Sequence, residues 1–180
     1  SKFLIKKHEK FLKKYLFSLV LDGQVKKAIK QINISKNLNN SSFFEANLLL
    51  IIEDFDNKKY KQADVKLKEQ LILLEQETYE FIIMKTLDSY NNLFLKKKIP
   101  KNYDFGKLTS ITNAFQNCYL GTDKIESHFL KLINSNEGDY TRYLFFYLGN
   151  IIESEEYNVA NKISKTIEPL DKSLLISQTN

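Results

Sequence analysis

Asp56-Asn57-Lys58-Lys59-Tyr60-Lys61-Gln62-Ala63 is the stretch on which the fold turns. Its first half is a tight polar turn. Its second half opens a helix with a large aromatic residue and, three positions later, a small one. The same figure occurs at Gly23, followed by Val25 and Ala28, and at Ser154-Glu155, followed by Tyr157 and Ala160. A weaker copy is Gly121, followed by Ile125 and His128. A small residue at this point lets the second helix of a pair lie close against the first across a short turn. The large residue one turn earlier is expected to fill the wedge at the bend.

Working outward, apolar residues recur at three and four spacing almost everywhere, which is the amphipathic helix signal. Leu12, Tyr15, Leu16 and Leu19 precede Ala28, and Leu144, Tyr147, Leu148 and Ile151 precede Ala160 at the same distance. Counting back from His128 gives the poorer set Thr112, Phe115, Gln116 and Tyr119. From Ala63 the set is Leu48, Ile51, Ile52 and Phe55, if that turn is one residue shorter. Asn33 to Ser42 reads as a polar loop, and Lys96 to Asp104, with Pro100, as a long connector. Among 180 residues there are only five Gly and two Pro, too few for the many turns of an all-β chain. The expectation is all-α: nine or ten helices and no sheet.

The small residues are separated by 35, 65 and 32 positions; taking the middle gap as two units, the mean period is 33. With the Tyr60–Ala63, Tyr157–Ala160 and Gly23–Ala28 anchors and the core sets above, the chain resembles a degenerate member of the tetratricopeptide (TPR-like) repeat family, whose unit is a helix pair of about 34 residues. The resemblance implies one domain over 1–180, a right-handed α-solenoid of antiparallel helix pairs at about 3–33, 43–76, 105–134 and 139–168. Residues 78–95 are an extra helix. Residues 72–104 carry no anchor, so they hold either an inserted helix or a decayed repeat. Leu174-Leu175-Ile176 before the polar Ser177-Gln178-Thr179-Asn180 suits a terminal cap, the start of a longer array, or a self-associating surface.

The net charge of +5 is local. Lys2, Lys6, Lys7, Lys10, Lys13 and Lys14 against Glu9 account for all of it, so residues 15–180 are net neutral. A basic stripe across the fold, the mark of a nucleic-acid binder, is missing. The lysine-rich opening reads first as a solvated helix face. The alternative is binding of an anionic membrane surface or a nucleic acid through residues 1–14. Those lysines ahead of Tyr15 to Leu21 superficially resemble a signal peptide, but Asp22-Gly23-Gln24 is no small-residue cleavage site. A cytoplasmic location is expected; a periplasmic or secreted one stays open if a signal preceded Ser1. The longest apolar stretch, Leu48 to Ile52, is far short of the ~20 residues a membrane span needs.

Catalytic chemistry needs converging groups. His8 lies among lysines, His128 replaces a packing residue, and Cys118 has no acid–base neighbour in sequence. Glu75–Glu77–Glu80 and Glu153–Glu155–Glu156 flank helix ends, where the backbone dipole favours carboxylates. The five glycines are isolated, and no metal-ligand spacing occurs. The expectation is therefore no enzyme, no cofactor, no metal and no small-molecule substrate. What the resemblance implies instead is a protein-interaction scaffold that takes a peptide or helix on its concave face. The first-helix residues that leave the core would line that face: Lys13, Phe17, Glu53, Asn113, Asn117, Arg142 and Phe145. Tyr140, Tyr143, Phe145, Phe146 and Tyr147 are too dense for one buried face, so some must point outward.

Overall fold

The computed structural model describes residues 9–36, 43–101, 103–133 and 143–166. Every regular element among them is helical, with no strand: α1 Glu9–Leu21, α2 Val25–Lys36, α3 Phe44–Asp56, α4 Tyr60–Leu73, α5 Tyr79–Lys96, α6 Lys107–Leu120, α7 Ile125–Ile133, α8 Leu144–Glu153 and α9 Tyr157–Thr166. The chain forms two compact units, Ser1–Lys96 and Lys97–Asn180, and the division falls inside the 72–104 stretch that the repeat pattern sets apart.

In the first unit each helix packs on the next in sequence, and α3 also packs on α5. Leu12, Leu16 and Leu19 of α1 meet Ala28, Ile29 and Ile32 of α2 and Phe43, Ala46 and Leu50 at α3. A second cluster joins Ile51, Ala63, Leu67 and Met84 across α3, α4 and α5. Each fully buried Leu or Ile contributes about 1.5–3 kcal/mol, so these clusters dominate the unit's stability. In the second unit α6, α7, α8 and α9 pack in sequence around Ala114, Phe129, Leu132, Tyr147, Ile151 and Ala160.

Four turns among the described residues close in the same way. Gly23, Lys58, Gly121 and Glu155 all sit at positive φ, between 56° and 72°. At each of these residues the N–H donates to the carbonyl three back: Val20, Phe55, Cys118 and Ile152. The next N–H donates to the carbonyl five back: Leu19, Asp54, Asn117 and Ile151. This paired closure is the Schellman arrangement, which satisfies the last carbonyls of a helix and turns the chain sharply. The four left-handed residues are 35, 63 and 34 positions apart.

The residue whose carbonyl accepts the longer bond is buried every time, with Leu19, Asp54, Asn117 and Ile151 at 5% exposure or less. Five residues after the turn stand Ala28 and Ala63, both fully buried, and Ala160, 9% exposed. These are the small residues that the sequence places at the helix contact. In the third pair the same position is Glu126, which is exposed, because Asp123 and Lys124 lengthen the turn by two residues; His128 is half-buried.

Three details differ from the sequence reading. The α3–α4 turn is not one residue shorter, so its core set is Leu50, Ile51 and Asp54, while Ile52 is 47% exposed. The buried position is occupied by a carboxylate, Asp54, which accepts from Lys66 Nζ of α4, and hydrophobic counting slid past it. In α6 the buried residues are Thr112, Ala114, Gln116 and Asn117, and Tyr119 is exposed for the same reason: polar side chains hold core positions. Finally, α2 runs on to Lys36, because Ser35 is small enough to continue the buried stripe of Ala28 and Ile32. Residues 37–42 of the expected loop lie outside the described residues.

The wedge reading holds for Tyr60 and for Ile125, which is half-buried against the core of the second unit. The Tyr60 ring lies 6.3 Å from Phe55 and 5.0 Å from Phe94, a side chain that α5 brings in. Val25 and Tyr157 remain 38% and 61% exposed. The start of α5 is capped by Thr78, whose hydroxyl accepts from the Phe81 N–H at 3.3 Å. Midway along α5, Asn91 is fully buried, and neither its amide nitrogen nor its amide oxygen has a hydrogen-bond partner.

Two stability effects follow. No atom would crowd a Cβ at Gly23, so its substitution is limited by φ alone. Gly23→Ala should lower the unfolding free energy by about 1 kcal/mol in urea titration, and Lys58→Gly, at the same geometry, should raise it by up to about 1 kcal/mol. Shifts of the same sign would show that φ is not what matters there. Asn91→Leu removes a buried amide that is paired with nothing and should raise the midpoint of thermal unfolding, by about 1–3 kcal/mol in free-energy terms. A lower midpoint would mean that Asn91 is satisfied after all.

Candidate functional site

On α1 the buried stripe Leu12, Leu16 and Leu19 leaves a neighbouring stripe, Lys10, Lys13, Phe17 and Val20, at the same helical spacing. On α3 the buried Ala46, Leu50 and Ile51 leave Glu45, Leu48, Leu49 and Ile52. Between these two stripes lies a groove of about 170 Å³. Its floor is Leu16, Val20 and Ala46; Phe17, Phe43, Leu48 and Leu49 form its walls. Ala46 is why it has depth, since a fully buried methyl is all that α3 places opposite Leu16 there.

The polar groups stand at one end. Lys13 Nζ lies 2.5 Å from Glu45 Oε1 and 5.9 Å from the centre of the Phe43 ring. An ion pair this exposed contributes at most about 1 kcal/mol. Its effect is positional: it holds the lysine chain across the rim instead of in solvent. A cation over an aromatic face adds to the same orientation.

Of the expected surface residues, Lys13 and Phe17 meet in this groove. Glu53 does not join them. It lines a second, open cleft of about 340 Å³ with Lys26, Ile29, Lys30, Asn33 and Ile34, between α2 and α3. The offset at Asp54 explains this, because it rotates Glu53 toward α2. The same offset counted Leu48 into the core, and Phe43 and Leu49 carried no signal of their own. Equivalence about the turn does find the exposed face of α3: Phe17 and Ile52 each stand six residues before a left-handed residue, and each is 47% exposed.

In the second unit Asn117 is buried and works as a helix-end clasp. Its Nδ2 donates to the Asn113 carbonyl at 2.8 Å, and its Oδ1 accepts from Thr122 Oγ1 at 2.7 Å. Asn113 is half-buried beside it on α6. Phe145 is half-buried and Phe146 is 61% exposed, while Tyr147 is buried and stacked on Phe129 at 5.0 Å. Phe115 meets Phe146 and Tyr143 edge-on at 5.2 and 5.8 Å. The crowded aromatics thus divide between core and surface. Arg142 and Tyr140 lie outside the described residues.

Three titratable groups of the described residues are shifted toward their neutral forms, while the hydrogen bond to Asp64 holds the exposed Lys68 in its charged form. Burial, with Glu153 nearby, pushes the Cys118 thiol up from its ordinary value. Burial, with Glu126 and Glu156, pushes the Tyr147 phenol up to about 12. Burial, then Lys124 and Lys131, pushes His128 down. No three His, Cys, Asp or Glu side chains gather as a metal site among the described residues. No described helix is long and apolar enough to cross a membrane. Comparison with protein-family models, with curated proteins and with solved structures returns no match.

The depressed His128 has a stability consequence. The folded chain binds that proton more weakly than the unfolded chain. Its contribution is therefore complete above the unfolded value, near 6.5, and is lost as pH falls from there through the lower folded value. Resistance to thermal unfolding should fall as the pH drops below about 6.5, and His128→Gln should flatten that part of the profile. An identical slope in the variant would exclude the histidine as the cause.

Proposed function

We propose that this chain is a non-catalytic protein-interaction scaffold that receives a peptide or helix of a partner in the groove between α1 and α3. The reading takes the fold as a right-handed α-solenoid of antiparallel, TPR-like helix pairs, with α1 and α3 as adjacent first helices. Support for the pairs comes from the four equivalent closures and from the alanines that follow three of them. Support for neighbouring first helices comes from the Lys13–Glu45 ion pair and the packing of α3 on α5. The observation that carries the function is the groove itself: apolar throughout, rimmed at one end by a fixed charge pair, and open to solvent. Such a site buries an apolar anchor and orients it by polar contacts at the edge.

The competing use of the opening helix on an anionic surface fits less well. An interfacial helix lays its apolar stripe into the lipid. In α1 that stripe, Leu12, Leu16 and Leu19, is already buried against α2 and α3.

The reading is tested by capture with the whole chain as bait, alongside Phe17→Asp and a control, Val65→Asp, on the exposed face of α4. Phe17→Asp should reduce capture of one specific protein by at least about tenfold, as expected for an anchor contact. Val65→Asp should leave it unchanged. Equal capture by all three baits would remove the groove from consideration.

A further inference from the structure

The groove has a chemical complement on the same unit. Ile72 and Leu73 close α4, and Tyr79 opens α5; they are 83%, 74% and 83% exposed. Among the exposed large apolar side chains of the described residues, only Leu21 is as open. Single exposed apolar residues are ordinary, but a cluster of this kind marks a contact surface. Glu69, Glu75, Glu77 and Glu80 surround it, all exposed, and no lysine or arginine occurs from 69 to 84. The corner is therefore net negative: its four glutamates stand against Lys68 alone, which is itself paired with Asp64.

The groove has the opposite balance. Lys10 and Lys14 are exposed one to two turns ahead of Phe17, on the side where Lys13 pairs with Glu45. Lys10, Lys13 and Lys14 against Glu9 and Glu45 leave this end net positive by one. The groove's 170 Å³ is close to the ~150 Å³ of an apolar cavity that takes up a benzene ring. It thus has room for one large side chain of the corner.

We propose that the α1–α3 groove is filled by the α4–α5 corner of a second copy of this chain, with a side chain among Ile72, Leu73 and Tyr79 inserted and the glutamates against Lys10 and Lys14. The proposal rests on the reading of the groove as a binding site and names its occupant. A chain's own corner does not serve, because Leu67 of α4 and Met84 of α5 anchor it in the core with Ile51 and Ala63. Groove and corner are different surfaces, so the contact is heterologous. Each added copy leaves one groove and one corner free, and such a contact extends unless it happens to close into a ring. Opposite charges speed the encounter and are screened by salt.

The test uses the purified whole chain, of mass 21.1 kDa, in sedimentation and light scattering. At about 0.05 M salt the weight-average mass should climb with concentration past that of a dimer, and at about 0.5 M it should fall back toward the monomer. A groove-blocked chain (Lys10→Glu, Lys14→Glu, Phe17→Ser) and a corner-blocked chain (Leu73→Ser, Glu75→Lys, Glu80→Lys) should each be monomeric with unchanged helix content by circular dichroism. Mixed, they should form a one-to-one dimer that grows no further, since one groove and one corner remain intact. A wild-type mass fixed at the monomer from about 1 µM to about 1 mM overturns the proposal. So does association that survives either set of substitutions, or two monomeric variants that do not combine. If the wild type is monomeric while Phe17→Asp still loses a captured protein, the second copy is wrong and the groove belongs to another partner. If neither experiment responds to the groove substitutions, the binding reading falls as well.

Discussion

The helix pairs of this chain depend on one backbone residue held at positive φ between the two helices. The closure at Gly23, Lys58, Gly121 and Glu155 uses main-chain donors and acceptors only. It therefore tolerates lysine and glutamate where glycine is the relaxed choice, at a strain of about 1 kcal/mol or more each. What it does not tolerate is freedom in the residues around it. The carbonyl that accepts the longer bond belongs to a residue facing inward, and after the three-residue turns the helix that follows presents its fourth residue to the same core. Alanine at 28, 63 and 160 is a consequence of that geometry, and so is its loss at the third turn, where two extra residues shift the contact to His128.

Helix content, the boundaries at the turns and the three alanines were legible in the sequence because each rests on local chemistry. Gly23 and Gly121 announce left-handed geometry, and a small residue after a turn announces close packing. Lys58 and Glu155 announce nothing, since neither residue type prefers positive φ. The register of α3 was misread for a related reason. Asp54 occupies the place that Leu19 and Ile151 hold elsewhere, and a reader counting apolar residues steps to Phe55. That one-residue slip turns the helix by about 100°. It is enough to place Glu53 on the groove side and to count Leu48 into the core. Lys13 and Phe17 could be set on one outward stripe because α1 has an unbroken apolar stripe to count from.

Polar groups in these cores fall into two kinds. Asp54 and Asn117 are each satisfied by a partner from the next element, Lys66 and Thr122, and both sit where a turn closes. There they do more than an apolar residue would, because their geometry admits one pairing of turn and helix. A buried ion pair adds little net stability over an apolar pair of the same volume, and its removal from one side only is costly. Asn91 belongs to neither turn nor partner. It lies on α5, the helix outside the four equivalent pairs, and its unpaired amide makes that helix the least economical part of the first unit.

The shape of the proposed site follows from the same constraint. With Leu16 and Leu50 committed to the core, the residues one step around each helix must face outward between α1 and α3. Had Ala46 been a larger residue, its side chain would fill that space and leave a flat ridge. A fully buried alanine beside Leu16 leaves a recess, and the Lys13–Glu45 pair marks its polar end. Apolar surface of this kind is held open against the tendency of water to drive it shut. The packing that shapes the recess is the packing that builds the fold.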